Sequence, residues 1–395
     1  MLNRRNFMKG VLASGCATLG LQLRNAWAFD TTAGAEGGRL VLIFLRGGLD
    51  GLFVFSPIDE PRLPGLRPTL ASTVLSSGIR LGQSGFAAHP ACSQLADLFL
   101  SKELAFVPCA GTTDRSRSHF QAQDLFELGN GDTHGASGFM ARASNQLGES
   151  NGVISFTRET PLSLQGADLP PEVAPLTGSG LKIPPGRLRD AILQAHRNTM
   201  TGEAIEQAIA TESEIETSVG MEPEAARGAK GATGFPKIAG SMGRILRGNH
   251  RLSLVFLDLG GFDTHATQEG ILTHALQSFS EGLVALKDAL GPLEWKRTQI
   301  VVMSEFGRTV RENGTRGTDH GHGGLALLAG GAIAGGRMLG RFDGLADTAL
   351  NETRDLPVLV DWRTLLAASM RDTFSFTEGA LDTIFPGRPR ANVAL

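Results

Sequence analysis

The stretch Arg39-Leu-Val-Leu-Ile-Phe-Leu45, followed at once by Arg46-Gly-Gly-Leu-Asp-Gly51, decides the fold class. A continuous apolar run of strand length is typical of a central parallel strand that is buried on both faces. Open α/β sheets place their sites just beyond the C-terminal ends of such strands, and Asp50 lies there. An Asp-Gly pair is also a common turn. The sequence predicts a mostly parallel α/β sheet, with Asp50 either as a site carboxylate or as a turn residue.

Two later stretches repeat this pattern. The stretch 251–257, a second predicted buried strand, leads into Asp263 and His265, and the stretch 298–304, a third predicted buried strand, leads into Glu305. Asp263 and His265 are two residues apart, so in an extended segment their side chains leave the same face. Because parallel strands bring their C-terminal ends to one edge of a sheet, we expect these carboxylates to meet Asp50 in one crevice.

The glycine-rich stretch Gly317-Thr-Asp-His-Gly-His-Gly-Gly324 is the fourth candidate part of that crevice. Glycines let a backbone approach an ion closely, while the alternative interpretation is a solvent-exposed turn. Mixed oxygen and nitrogen donors suit zinc or manganese, and the crevice could hold one or two ions. The candidate metal ligands are Asp50, Asp263, His265, Glu305, Asp319, His320 and His322.

Ser118 precedes a predicted helix that runs to about Leu128. With Gln121 it fits a capping box, whereas a hydroxyl at a helix N-terminus can also attack or bind an anion. Both interpretations stay open at this stage. The arginines available to clamp an anionic group are Arg46, Arg115, Arg117 and Arg308.

Residues 1–28 are predicted to be an export signal rather than part of the fold. Asn3-Arg-Arg-Asn-Phe-Met-Lys9 precedes a weakly apolar run and then Ala26-Trp-Ala28, a small-x-small cleavage site. This arrangement resembles a twin-arginine signal, which implies a periplasmic protein cleaved near Ala28. A lipoprotein-type site at Cys16 and an ordinary amphipathic first helix are the alternatives, and the apolar run is too short to span a bilayer.

Composition limits the remaining classes of protein. The chain has 395 residues, of which 41% are hydrophobic and 19% charged, as expected for a globular protein. A net charge of -3 gives no electrostatic reason to expect nucleic acid or an anionic membrane as a partner. Residues 29–395 are predicted to form one domain with a less regular insertion at about 129–233. Cys92 and Cys109 remain after signal removal and can form a disulfide in an oxidising compartment.

Further elements follow from local patterns. The sequence predicts strands near 104–108, 152–156, 161–164, 325–328 and 356–360 and helices near 90–100, 119–128, 187–217, 267–290 and 361–371, with a linker at 221–233. The pair Gly291-Pro292 is expected to end the helix that begins near Thr267.

Several of these motifs together resemble the family catalogued as domain of unknown function 1501, from about Leu40 to Pro386. The motifs are Leu-Arg-Gly-Gly-Leu-Asp-Gly51, Arg-Ser-His-Phe-Gln-Ala-Gln-Asp124, Phe-Asp-Thr-His265, Ser-Glu-Phe-Gly-Arg-Thr309 and Gly-Thr-Asp-His-Gly-His-Gly-Gly324. The family is placed in the alkaline phosphatase and sulfatase superfamily, so the resemblance implies a three-layer α/β/α sandwich with a two-metal hydrolytic site.

Carried over to this chain, the resemblance implies Asp50 as the ligand after the first strand and Ser118 as the nucleophile. One ion would be held by Asp263, His265 and His322, and the other by Glu305. The chain departs from the superfamily pattern, since Phe306 stands where a histidine follows the late strand. The second site therefore lacks an imidazole unless His320 supplies it.

Two functions from different classes follow. The first is an exported metal-dependent hydrolase of phosphate or sulfate esters, with Ser118 or water as the nucleophile, Arg117 and Arg308 as anion clamps and a small anionic ester as substrate. The second is an exported binding or assembly protein that keeps the fold and has lost the chemistry. A phosphotransferase with a phosphorylated serine is a third alternative.

Overall fold

The computed structural model describes residues 37–112, 114–148, 151–174, 226–227 and 229–390. The predicted signal at 1–28 and the predicted helices at 187–217 lie outside these residues. Within them, no helix is both long enough and apolar enough to cross a membrane.

The main sheet is built around the first apolar run. Nine strands of the described residues form it: β1 (Arg39–Leu45), β2 (Leu104–Gly111), β3 (Gly152–Ser155), β4 (Glu172–Val173), β5 (Lys230–Gly231), β6 (Leu252–Gly260), β7 (Thr298–Met303), β8 (Gly324–Ala329) and β9 (Val360–Asp361). Their spatial order is β9-β2-β8-β7-β1-β6-β3-β4, and β5 lies beside β6. A smaller antiparallel sheet joins Phe55–Ser56, Ala87–Ala88 and Ile79–Arg80.

Strand direction decides which loops meet. β1 pairs in parallel with β7 on one side and with β6 on the other, which confirms the predicted parallel arrangement of these three strands. β8 is antiparallel to both of its neighbours, β7 and β2. The glycine-rich stretch 317–324 leads into β8, so the reversed direction of β8 brings it to the edge at which β1, β6 and β7 end.

Helices cover both faces of the sheet. The principal ones are α1 (Ser93–Leu100), α2 (His119–Leu128), α3 (Phe139–Leu147), α4 (Phe235–Gly248), α5 (Gln268–Lys296), α6 (Trp362–Phe374) and α7 (Glu378–Ile384), and shorter ones span Gly51–Val54, Leu63–Leu66 and Ser72–Ser77. Val41 and Ile43 of β1 share a core with α1, α4 and α5, whereas Leu42 and Phe44 share one with α2, α3, α6 and α7. Successive strand side chains point to opposite faces, so the expected three-layer α/β/α fold is confirmed.

Helix α4 was not predicted from the sequence. Its buried residues Phe235, Ile238, Met242 and Leu246 have helical spacing, but its glycines weaken the pattern. Gly243 has a packing reason, because a Cβ there would lie 2.6 Å from the Cβ of Ala289 on α5. The close approach of the two helices therefore overrides the low helix propensity of glycine.

Other local predictions differ from the structure in small ways. The segment Leu162–Leu164 is a 3-10 helix rather than the predicted strand. By contrast, the predicted helix end at Gly291-Pro292 is confirmed, because α5 consists of two helices that meet at a kink at Gly291, where φ is 72° and ψ is 170°. Cys92 and Cys109 are buried free thiols, so the disulfide considered above does not form.

Replacing Asp372 by asparagine is expected to stabilise the protein in a pH-dependent way. Burial raises the pKa of Asp372 to about 6, and one of its carboxylate oxygens is buried without a hydrogen-bond partner. The folded state therefore binds this proton more tightly than the unfolded state, and stability falls as pH rises from about 4 to 6. Urea unfolding should show Asp372→Asn about 1–3 kcal/mol more stable than wild type at pH 8 and equal to it at pH 4. Asp168→Asn, at an exposed carboxylate, is the control, and an equal gain at both pH values would contradict the expectation.

Candidate metal centre

Three side chains from distant parts of the chain meet beyond the C-terminal ends of β1, β6 and β7. Ligand atoms of His119, Asp263 and His320 all lie within 4.8 Å of one another, and this is the one such group that the described part of the chain forms. His119 begins α2, Asp263 follows β6 and His320 precedes β8. The topology of the sheet therefore assembles the group.

The His119 ring is oriented by a carboxylate behind it. Its Nδ1 donates to Glu305 Oε1 at 2.8 Å, because an ionised carboxylate can only accept. Its Nε2 is buried, has no hydrogen-bond partner and lies 3.5 Å from Asp263 Oδ2. The atom of His119 that faces the cluster is therefore Nε2.

His320 is held in the same manner. Its Nδ1 lies 2.8 Å from the carbonyl oxygen of Arg117, which can only accept, so this nitrogen donates. Its Nε2 lies 3.5 Å from Asp263 Oδ1 and 2.9 Å from His265 Nε2. Two facing imidazole nitrogens need either a proton or a cation between them.

His265 completes the open side of the cluster. Its Nε2 lies 2.9 Å from Asp263 Oδ1, and its Nδ1 lies 3.5 Å from Asp319 Oδ1. The His265 side chain is 44% exposed, so this side of the cluster is reachable from solvent. Asp319 lies on the far side of the His265 ring from Asp263 Oδ1, the oxygen that faces both His265 and His320. Asp319 also accepts a hydrogen bond from Asn313.

These donors fit a divalent ion. Ligands that sit about 2.0–2.1 Å from zinc at tetrahedral angles are about 3.3 Å apart. Here His119 Nε2 lies 3.5 Å from Asp263 Oδ2 and His320 Nε2 lies 3.5 Å from Asp263 Oδ1. His265 Nε2 lies 2.9 Å from His320 Nε2, and the ligand atoms of His119, Asp263 and His320 all lie within 4.8 Å of one another. Imidazoles whose other nitrogen is bound to an oxygen are typical of metal sites.

Glu305 lies behind His119 and is not a member of the group formed by His119, Asp263 and His320. It is fully buried, and its Oε1 accepts hydrogen bonds from Gly47 N and Gln123 Nε2 as well as from His119, while its Oε2 accepts one from Ser304. Burial alone would raise the pKa of Glu305, but the hydrogen bond from His119, the charge of His119 and the hydrogen bond from Gln123 together outweigh it and lower the pKa to about 2. The structure thus places this carboxylate as the residue that orients His119.

The carboxylates make the cluster attractive to positive charge. Burial by itself lowers the pKa of His119, but Asp263 and Glu305 outweigh it and raise the pKa to about 9. The pKa of Asp263 is lowered despite its burial, because His119, His320 and Arg308 all favour its charged form. Without an ion, His119 therefore holds a proton, and metal binding would release it.

Asp50 does not reach this cluster. It is 1% exposed, forms a 2.8 Å ion pair with Arg67 and accepts a 2.6 Å hydrogen bond from Gln268. Gln268 in turn accepts from the hydroxyl of Thr318. This buried network anchors the glycine-rich stretch, and Arg67 already neutralises the Asp50 carboxylate.

The predicted anion clamps are occupied by protein groups. Arg308 is buried and donates to Asp263 Oδ1 at 2.6 Å and to the carbonyls of Gly48 and Thr318. Arg117 binds Glu352 at 2.7 Å. Arg308 thus holds Asp263, and the backbone carbonyl of Arg117 holds His320. Arg115 is exposed.

Arg46 and Ser118 also differ from their sequence interpretations. Arg46 is buried between Glu127 and Asp258, at 2.8 and 2.7 Å, so it is not available to clamp an anion. Ser118 stands at the N-cap of α2 but its side chain makes no capping hydrogen bond, so the capping box with Gln121 does not form. Its hydroxyl remains adjacent in sequence to His119.

His322 belongs to a second imidazole–carboxylate pair. Its Nδ1 donates to Asp355 Oδ2 at 3.1 Å, and its Nε2 is buried without a hydrogen-bond partner. Asp355 is fully buried and also accepts a hydrogen bond from Arg354 at 3.1 Å.

Phe306 packs against the metal cluster, and its ring centroid lies 4.8 Å from those of His119 and His320.

Sequence reasoning missed His119, Gln123 and Asp355. The first of these had a local signal, because His119 follows Ser118 at a predicted helix N-terminus. Gln123 and Asp355 had none, since their partners Glu305 and His322 are distant in sequence.

Comparison with solved structures finds similar chains at low identity. Ps i-CgsB in complex with k-i-k-neocarrahexaose is 13% identical, with a TM-score of 0.42 over 88% of this chain and 74% of that chain. A protein in the alkaline phosphatase superfamily from Vibrio parahaemolyticus is 13% identical, with a TM-score of 0.38 over 77% of this chain and 62% of that chain. The C-terminal periplasmic domain of EcEptC from Escherichia coli, in complex with Zn, is 12% identical, with a TM-score of 0.35 over 78% of this chain and 77% of that chain.

A search of curated proteins found no match. The family model described as "Protein of unknown function (DUF1501)" matches residues 187–384, which is half of the chain and includes Asp263, Glu305 and His320. The chain therefore belongs to the DUF1501 family.

Proposed function

We propose that this chain is a divalent-metal-dependent hydrolase of phosphate or sulfate esters. The observation that carries the proposal is the convergence of His119, Asp263 and His320, with both imidazoles held from behind by oxygens. Three protein ligands beside a solvent-reachable side are typical of catalytic rather than structural zinc sites. Zinc or manganese fits this donor set, and one ion is expected.

Each residue has a separate task in the proposed reaction. A divalent ion bound there would supply Lewis acidity, which would polarise a phosphoryl or sulfuryl oxygen and make water more acidic. His119, Asp263 and His320 hold that charge, while Glu305 and the Arg117 carbonyl fix the two rings. The nucleophile is either water or the Ser118 hydroxyl next to His119. The substrate is a small anionic ester, which enters on the exposed side of His265.

We also propose that the protein works after export. Residues 1–28 carry the twin-arginine pattern, so the mature domain 29–395 would act in the periplasm. Fusing residues 1–28 to a reporter should direct it there, whereas Arg4→Lys with Arg5→Lys should retain it in the cytoplasm. Export of the doubly changed fusion would contradict this route.

A binding or assembly protein is the second candidate. Two observations favour it: Arg67 neutralises Asp50, and the phenyl ring of Phe306 faces His119 where the superfamily pattern has an imidazole. Both reduce the number of groups available for a second ion. In this alternative the cluster binds one ion for a structural or recognition purpose.

The test is metal content followed by hydrolysis. Mature protein reconstituted with Zn²⁺ or Mn²⁺ should hold about one ion per chain by elemental analysis and should hydrolyse p-nitrophenyl phosphate or p-nitrophenyl sulfate. Ser118→Ala separates the nucleophiles, because it should abolish turnover if the serine attacks and spare it if water attacks.

Each outcome decides between the candidates. Protein that stays metal-free after reconstitution would exclude both a metal hydrolase and a metal-binding role. Protein that binds the ion and is silent across phosphate mono- and diesters and sulfate esters would favour the binding candidate.

A further inference from the structure

A chain of buried polar side chains runs from the metal cluster into the core. His119 Nδ1 donates to Glu305 Oε1, Gln123 Nε2 donates to the same oxygen at 2.9 Å, and Arg46 Nη1 donates to Gln123 Oε1 at 2.7 Å. Gln123 is fully buried and Arg46 is 4% exposed. The chain of contacts therefore has no access to bulk solvent that could replace a lost partner.

The direction of each hydrogen bond in this chain is fixed. A guanidinium can only donate, so the amide oxygen of Gln123 must face Arg46. The amide nitrogen of Gln123 must then face Glu305, and its N–H points at the carboxylate oxygen that holds His119. Arg46 is itself held by Glu127 and Asp258, so it cannot turn away.

Helix α2 and the end of strand β1 both contribute groups that hold Glu305. His119 and Gln123 are four residues apart on α2, so their side chains lie on one face of the helix. Arg46 and Gly47 directly follow β1, and the Gly47 amide donates to the same Glu305 oxygen at 2.9 Å. Glu305 Oε1 is thus fixed from the sheet edge and from the helix at once.

We propose that Gln123, backed by Arg46, is a positioning residue of the metal centre. It holds the Glu305 carboxylate in the one orientation in which His119 donates through Nδ1 and presents Nε2 to the ion. This inference rests on the proposed metal centre. Gln123 itself would touch neither the ion nor the substrate.

The test replaces Gln123 by methionine, which conserves the volume and removes the hydrogen bonds to Glu305 and from Arg46. Titration calorimetry with Zn²⁺ should show affinity weakened by about 10–100-fold, as for other residues behind metal ligands. In metal-free protein the low-field proton resonance of His119 Nδ1–H, identified by its absence from His119→Ala, should shift or exchange with water. Gln299→Met is the matched control, because Gln299 is equally buried and binds Ser369 and Thr373 on another part of the sheet.

The outcomes separate this inference from the proposed function. Wild-type affinity and an unchanged His119 resonance in Gln123→Met would overturn the positioning role. Equal losses in Gln123→Met and Gln299→Met would also overturn it, since they would reflect stability alone. If the wild-type protein binds no ion, the proposed metal-dependent function is wrong. The His119 Nδ1–H resonance of metal-free protein then still tests whether Gln123 positions Glu305 against His119. Gln123→Glu serves if the methionine variant does not fold, because it keeps an oxygen for Arg46 and replaces the Nε2–H donor by an acceptor.

Discussion

Replacing Asp263 by alanine is expected to weaken divalent-ion binding on the order of 100-fold or more, because losing a direct ligand costs at least as much as losing a residue behind one. The Asp263 carboxylate lies within 3.5 Å of ring nitrogens of His119, His265 and His320. Its removal also leaves the guanidinium of Arg308 without a counter-charge beside the ion. Titration calorimetry with Zn²⁺ on metal-free protein measures the loss directly.

The matched control for this change is Asp132→Ala. Asp132 forms a comparable contact to His134 at 3.3 Å, but on an exposed loop away from the cluster. Its loss should leave the affinity unchanged. Retention of wild-type affinity by a folded Asp263→Ala protein would show that the ion, if any, binds elsewhere.

Replacing Arg46 by methionine is expected to destabilise the fold by about 3–5 kcal/mol, because it leaves uncompensated charge in the core. Glu127 and Asp258 both bind this guanidinium, and each is at least nine-tenths buried. Burial already raises the pKa of Asp258 against the pull of Arg46. Without the arginine, one of these acids must bind a proton or the region must open. The free energy of unfolding in urea at pH 7 is the measurement.

Two further variants define this expectation. Arg62→Met removes a surface pair with Asp347, in which the side chains are 50% and 76% exposed, and should change stability by less than about 1 kcal/mol. Arg46→Lys keeps the charge but cannot reach three acceptors in a fork, so it should fall between wild type and Arg46→Met. A loss below about 1 kcal/mol for Arg46→Met would mean that water reaches this network.

The sheet was predictable because its central strands carry a strong local signal. After Arg39, the run 40–45 is apolar throughout, and the whole strand is buried on both faces, as a parallel central strand must be. The strands after residues 251 and 297 followed from the same pattern, and their parallel pairing explains why Asp263 and Glu305 are near each other. Helix α4 was not predicted, because the glycines that permit its close contact with α5 also weaken its helical sequence pattern.

The site was only partly predictable. Asp263, His265 and His320 were among the candidate ligands, and the structure brings them together with His119, a residue that the prediction omitted. Glu305 and Asp319 lie behind histidines rather than in the cluster. The role of each carboxylate depends on which donors surround it, and the donors to Glu305 Oε1 come from sequence positions more than a hundred residues away.

What the sequence by itself determined is the parallel core and the kind of residue placed at its edge, since burial of apolar runs and the spacing of polar residues are local properties. What only the tertiary structure decided is which of those residues converge. The antiparallel course of β8 brings His320 to the edge where His119 and Asp263 lie. The ion pair with Arg67 keeps the Asp50 carboxylate from binding an ion. Ion pairs and strand directions join distant positions, so no local pattern encodes them.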